Sequence, residues 1–140
     1  MINKFVWKDS CSVGIASIDD QHKHFFSITN DIISLLEKGN TTKEELCAMV
    51  LKLEDYADFH FKTEEGYFDH LHYRDAPFHI DAHYSYCRRV AYYRQELEKS
   101  AVDLPHMTEE VATYSIYWLS DHILRMDKHY TIFFKEHGVK

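Results

Sequence analysis

His60-Phe61-Lys62-Thr63-Glu64 stands at the end of a run whose apolar residues step by three and four: Leu46, Met49, Leu53 and Tyr56, then His60 and Glu64. That period marks one face of an amphipathic α-helix turned toward a core. The face should close on aliphatic residues, yet it closes on an imidazole and a carboxylate. Three further stretches break the pattern in the same way: Asp19-Asp20-Gln21-His22, His79-Ile80-Asp81-Ala82-His83, and His122-Ile123-Leu124-Arg125-Met126-Asp127. Unpaired polar groups in a core are costly. Five imidazoles and two carboxylates on inward faces need a common partner, and a metal centre is the simplest one.

Working outward, the segment around His60 starts at Thr42, where Thr42 and Glu45 form a capping box, and runs to about His70. An earlier helix spans Ile18 to Lys38, with an inner face of Ile18, His22, Phe25, Thr29, Ile32 and Leu36, and Gly39 stops it. A third starts near Pro77 with Asp75 as its cap, and its face reads His79, His83, Tyr86, Val90, Tyr93 and Leu97. A fourth begins after Thr108 and presents Val111, Ser115, Trp118, His122 and then Arg125 or Met126. No alternating stretch of strand length occurs. The expected fold is all-α: an up-down-up-down antiparallel four-helix bundle, one domain over residues 1–140. An extended N-terminal arm carrying Phe5 and Trp7 should lie across it, and the short C-terminal segment Tyr130-Thr131-Ile132-Phe133-Phe134 should pack back on it.

Order along the chain then brings the seven groups together. His22 lies early in the first helix, His60 and Glu64 late in the second, His79 and His83 early in the third, and His122 and Asp127 late in the fourth. In an antiparallel bundle these positions share one end. His79 and His83, one turn apart, can clamp a single ion, as can His60 and Glu64. His122 and Asp127 are awkward, because five residues rotate a side chain by about 140° on an ideal helix. The two should not approach one ion from the same side, which suits an aspartate reaching across two ions. His106 and Glu110 repeat the His-x3-Glu spacing, but His106 follows Pro105 and reads as a surface loop residue. His24, His70, His72, His129 and His137 read as solvated.

Composition removes several function classes. The net charge of -7 and the lack of a basic run argue against nucleic acid. No apolar run approaches the roughly 20 residues of a membrane span. The three cysteines, Cys11, Cys47 and Cys87, form no disulfide framework, and the N-terminus lacks the apolar run of a signal peptide. Reduced thiols and a cytoplasmic location are expected.

The ordered pattern His, His-x3-Glu, His-x3-His, His-x4-Asp resembles the hemerythrin family, specifically its single-domain bacterial kind. So do Ile18-Asp19-Asp20-Gln21-His22-Lys23, His60-Phe61 with Glu64-Glu65, Trp118-Leu119-Ser120-Asp121-His122 and Trp7. The likeness spans nearly the whole chain and departs at Tyr67-Phe68 and Tyr73-Arg74. It implies two iron ions per chain joined by an oxo or hydroxo bridge. His79, His83 and His122 would hold one iron, His22 and His60 the other, and Glu64 and Asp127 would bridge them. On two six-coordinate irons that set leaves a single open position, the mark of a metal that binds a small ligand. The implied function is reversible binding of dioxygen by a carrier, store or sensor, not an enzyme. Phe25, Phe61, Trp118 and Ile123 are candidates to line the open position, with plain core packing as the competing account. Two other functions compete. A di-iron oxidase, peroxidase or nitric oxide handling enzyme would need a proton source such as Tyr56, Tyr86 or Tyr114. A metal-buffering module would hold zinc or one iron.

Overall fold

Four long helices carry the chain in a computed structural model that describes residues 2–140; the first residue of the expected arm lies outside them. After a 3₁₀ turn at Asp9–Cys11 come α1 (Ala16–Lys38), α2 (Lys43–Leu71), α3 (Ala76–Leu97) and α4 (Leu104–Asp121). A π turn over His122–Met126, a 3₁₀ turn over Asp127–Tyr130 and the short α5 (Thr131–Glu136) complete the chain.

Local chemistry sets the boundaries. Gly39 ends α1 in the left-handed conformation, with φ of 82°, and its N–H returns to the Leu35 carbonyl. The Thr42 side chain accepts from the Glu45 N–H, and Glu45 accepts from the Thr42 N–H, so the capping box expected at α2 is formed. Three expectations fail at helix starts. Asp75 makes no side-chain cap bond to α3, although Pro77 does lie in its first turn. The fourth helix begins at Leu104 rather than after Thr108, because Asp103 accepts from the His106 N–H and Pro105 suits the first turn. His106 therefore belongs to a helix and not to a loop, though its side chain is exposed as expected. At the other end of that helix, Arg125 turns to solvent and pairs with Asp121, so it does not extend the inner face.

α1 packs against α2 and α4, and α3 packs against α2, with α3 and α4 the most loosely packed of the neighbouring pairs. The main core is built from all four, including Phe25, Ile32, Leu46, Leu53, Val90, Leu97 and Val111. A second cluster joins Val13, Ile15 and Ile18 to Phe68, Tyr130 and Phe134. The C-terminal segment thus closes the end of the bundle where the polar residues lie. The N-terminal arm crosses α1: Phe5 stacks on Phe26 with ring centroids 3.5 Å apart, and Asn30 bonds both the N–H and the carbonyl of Phe5.

Thr42→Ala removes one partner of the capping box. It should cost about 1 kcal/mol, read as a lower urea midpoint with an unchanged slope. An unaltered midpoint would show that α2 starts without the cap.

Candidate metal centre

The four helices bring His22, His60, Glu64, His79, His83, His122 and Asp127 into one buried layer, with none more than 3% exposed. The Asp127 carboxylate lies at its centre. Its Oδ1 is 2.7 Å from His79 Nε2 and 2.9 Å from His122 Nε2, and its Oδ2 is 2.9 Å from His22 Nε2. Glu64 Oε1 lies 3.2 Å from His60 Nε2 and 3.3 Å from His83 Nε2.

The donor atoms fall into two overlapping groups, each drawn together within 4.8 Å. One contains Glu64, His79, His83, His122 and Asp127; the other contains His22, His60, Glu64 and Asp127. Both carboxylates belong to both groups. The imidazoles divide three to two.

The π turn makes this possible. The Asp127 N–H returns to the His122 carbonyl, five residues back, and the wider turn brings both side chains to one side of the helix. The divergence expected for an ideal helix is corrected: His122 and Asp127 face each other. Asp127 still reaches both groups, one oxygen toward each.

Close approach here is not hydrogen bonding. The Nε2 atoms of all five histidines and all four carboxylate oxygens are buried without a hydrogen-bond partner. Two ligands held at about 2.1 Å from one first-row ion, at right angles, stand about 3 Å from each other. The spacings observed are those of neighbouring ligands on a shared ion. Imidazole and carboxylate donors together suit iron and its first-row neighbours. The residues present therefore fit a pair of ions.

Two further side chains hold imidazoles in place. His60 Nδ1–H donates to Gln21 Oε1 at 2.7 Å, and His83 Nδ1–H donates to Glu65 Oε2 at 2.7 Å. Each bond leaves Nε2 bare and turned to the cluster. The sequence did not name this pair. Gln21 and Glu65 each neighbour a ligand along the chain, and only the helix rotation shows that they reach a different one.

The four pocket candidates lie beside the ligands. Phe61 stacks on His83, with centroids 3.9 Å apart and planes 5° from parallel, and Trp118 stacks on His122 at 4.4 Å and 11°. Phe25 meets His60 edge-on at 5.9 Å. Ile123 is fully buried in the same core. His24, His70, His72, His129 and His137 are exposed, as expected.

Without metal the layer is held by charge. Burial opposes ionisation of His83, but the Glu64 and Glu65 carboxylates outweigh it and push its pKa up to about 9. Burial likewise opposes His22, and Asp127 outweighs it, so His22 is raised too. His122 runs the other way, because there burial wins over Asp127. Burial and the nearby Asp127 charge push Glu64 up, yet His60 and His83 bring it below the usual carboxylate range. Asp127 is held well below its ordinary value by His122, His22 and His79 against the penalty of burial.

A four-helix bundle with a shared-carboxylate histidine cluster at one end defines a cation-binding class of fold. The sequence profile described as the hemerythrin HHE cation binding domain matches residues 13–131, and the chain belongs to the hemerythrin family. A bacteriohemerythrin of Clostridium acetobutylicum is 29% identical over 128 residues, covering 90% of this chain and 98% of that one. A bacteriohemerythrin of Pseudomonas paraeruginosa is 29% identical over 127 residues, covering 89% and 78%. A hemerythrin-like protein of Naegleria gruberi is 25% identical over 126 residues and covers 90% of each. A solved wild-type hemerythrin, 24% identical, superposes with a TM-score of 0.80 over 93% of this chain and 97% of its own, which shows the shared fold.

The raised His83 stabilises the metal-free fold fully below its ordinary pKa of 6.5, and that contribution is lost as pH rises through about 9; His22 acts in the same direction. The lowered carboxylates contribute above their ordinary range and lose it in acid. The urea midpoint of the metal-free chain should therefore fall between pH 6.5 and 9. In the metal-loaded chain it should stay level, because the ion replaces the protons. A level metal-free profile would refute the charge account.

Proposed function

We propose that the chain binds dioxygen reversibly at a pair of iron ions, as a carrier, store or sensor. The observation that carries this reading is the three-to-two division of imidazoles about two shared carboxylates. His79, His83 and His122 hold one iron, His22 and His60 hold the other, and Glu64 and Asp127 bridge them. With an oxo or hydroxo bridge completing the pair, one position would be left open, on the side of His22 and His60. The relatives named bacteriohemerythrin support the same reading. When bound, the iron pair supplies the redox electrons and the open position for the gas.

The protein's own groups keep that chemistry reversible. Phe25, edge-on to His60, would wall the open position, while Phe61 and Trp118 lie against His83 and His122 and, with Ile123, extend the apolar surface that keeps water out. Stacking of Phe61 and Trp118 on ligand rings limits their rotation. Gln21 and Glu65 set the tautomers of His60 and His83. Burial makes the tyrosines that an enzyme would use as proton donors weaker acids. Burial, helped by Asp20, pushes Tyr56 up to about 12, and its hydroxyl donates to the Gln21 carbonyl. Burial raises Tyr86 further. Binding without turnover is therefore the favoured reading. No helix among the described residues is long and apolar enough to cross a membrane. With its cysteines unpaired, the protein fits a reducing cytoplasm, as one domain over residues 1–140.

Metal analysis should find two irons per chain. Glu64→Ala should lower this to one or none, while His106→Ala should leave it unchanged. The reduced, iron-loaded protein should change its absorption spectrum in air and regain the first spectrum under vacuum. One metal per chain, zinc, or irreversible oxidation with peroxide release would overturn the proposal. Glu65→Ala, which frees His83, should weaken iron binding by roughly 10- to 100-fold, measured by competition with a chelator.

A further inference from the structure

Oxidisable rings form a continuous path from a metal ligand to the surface. Trp118 lies face to face with His122 at 4.4 Å. Besides Phe61, which cannot carry a positive hole, it lies 4.5 Å between centroids from Tyr86. Tyr86 is fully buried, and its hydroxyl has no hydrogen-bond partner. Tyr114 stacks beside Tyr86 at 6.0 Å and 20°. Tyr114 and Tyr93, 6.1 Å apart, then line a cleft of about 450 Å³ between α3 and α4, where Arg89 covers both rings. The cleft lies where α3 and α4, the least closely packed of the neighbouring helix pairs, meet.

No other tyrosine beside the cluster has such an exit. Tyr130 lies 5.5 Å from His79, but its remaining ring neighbours are Phe68 and Phe134. Phenylalanine cannot take a positive hole at potentials where tyrosine and tryptophan can. Tyr130 is a dead end, whereas Trp118 opens on tyrosine at every step.

We propose that Trp118, Tyr86 and Tyr114 form a one-electron relay that discharges strongly oxidising equivalents from the metal centre into the α3–α4 cleft. The relay rests on the iron reading for its source of oxidant, and that oxidant is hydrogen peroxide. Reduction of one peroxide to two waters at the bound metals would consume two protons and call for two electrons from the protein. Each missing electron is drawn from Trp118, and the oxidised indole is refilled across Tyr86 from Tyr114. Each time, Tyr114 becomes a neutral radical and releases its phenolic proton to solvent in the cleft, which balances the protons used. A small one-electron reductant returns a hydrogen atom to Tyr114; ascorbate is the probe. Without this route the same equivalents would attack groups beside the cluster, such as the half-buried thioether of Met126 or the ligand imidazoles.

Two measurements test the relay, and the first needs no iron chemistry. In the Trp7→Phe protein, Trp118 is the one tryptophan left. Oxidation by dibromide radical in pulse radiolysis should give a tryptophanyl signal that decays into a tyrosyl signal. The rate should be independent of protein concentration. Adding Tyr86→Phe or Tyr114→Phe should slow that transfer at least tenfold, with circular dichroism verifying the fold. An unchanged rate in both variants would overturn the proposal, whatever the metal content. In the second, the iron-loaded protein is treated with peroxide and frozen for electron paramagnetic resonance. A tyrosyl signal should appear, ascorbate should quench it, and Tyr114→Phe should abolish it. Peptide mass spectrometry of the Tyr114→Phe protein should show at least threefold more Met126 sulfoxide. A persisting signal with unaltered Met126 oxidation would also overturn it. Failure to bind iron at all would sink the oxygen-binding reading while leaving the first measurement to decide the relay.

Discussion

Two carboxylates enclosed among five imidazoles, with no water-facing surface, set the terms for the rest of the molecule. A buried ion pair is seldom the most stable way to fill a core, since well-packed apolar residues of like volume do as well or better. The layer must therefore draw its stability from what lies around it and from what it binds. Below it, the inner positions of α1 to α4 are aliphatic or aromatic almost without break, and that half of the bundle provides the folding energy. Above it, Val13, Ile15, Ile18, Phe68, Tyr130 and Phe134 form a lid that keeps solvent from the carboxylates. The polar layer thus lies between two apolar blocks, and neither block alone would bury it.

Orientation matters as much as burial. An imidazole on a helix can rotate about two bonds, and a cluster of free rings would collapse into hydrogen bonds with the carboxylates. Here the rings are fixed from outside. Gln21 and Glu65 hold the far nitrogens of His60 and His83, and Phe61 and Trp118 lie flat against His83 and His122. The two anchors differ in charge. Glu65 presents a carboxylate to an imidazole of the three-histidine group, while Gln21 presents a neutral amide to one in the two-histidine group. A carboxylate partner raises the basicity of its imidazole more than an amide does. The two halves of the centre are thereby made electronically unequal by residues that touch no ion.

Much of this was legible in the chain because helical periodicity is a strong signal and antiparallel order is a strict one. The faces carrying His22, Glu64, His83 and His122 could be aligned by counting residues, and the layer followed. Capping was readable where side chain and backbone act within one turn, as at Thr42 with Glu45. It was misread at Asp75, whose side chain makes no cap bond, and at the start of α4. There Pro105 looked like a break but serves as a first-turn residue behind Asp103. His106 was placed in a loop for the same reason. Its exposure is legible all the same, because a residue following Pro105 in the connection reads as lying on the surface. The reach of Gln21 and Glu65 depends on rotation of one helix against another, which no spacing within one helix encodes.

The π turn at His122–Met126 shows where counting fails and why. Five residues separate His122 from Asp127, and on an ideal helix that spacing divides them between two faces. An inserted residue in the turn restores a common face at the expense of regular i to i−4 bonding. Such a departure needs compensation, and here its two ends, His122 and Asp127, are both buried polar groups of the cluster. Beyond the turn, Tyr130 and Phe134 pack inward against Phe68. One irregular turn therefore places the shared carboxylate between the two imidazole groups, where an ideal helix would turn it away from His122.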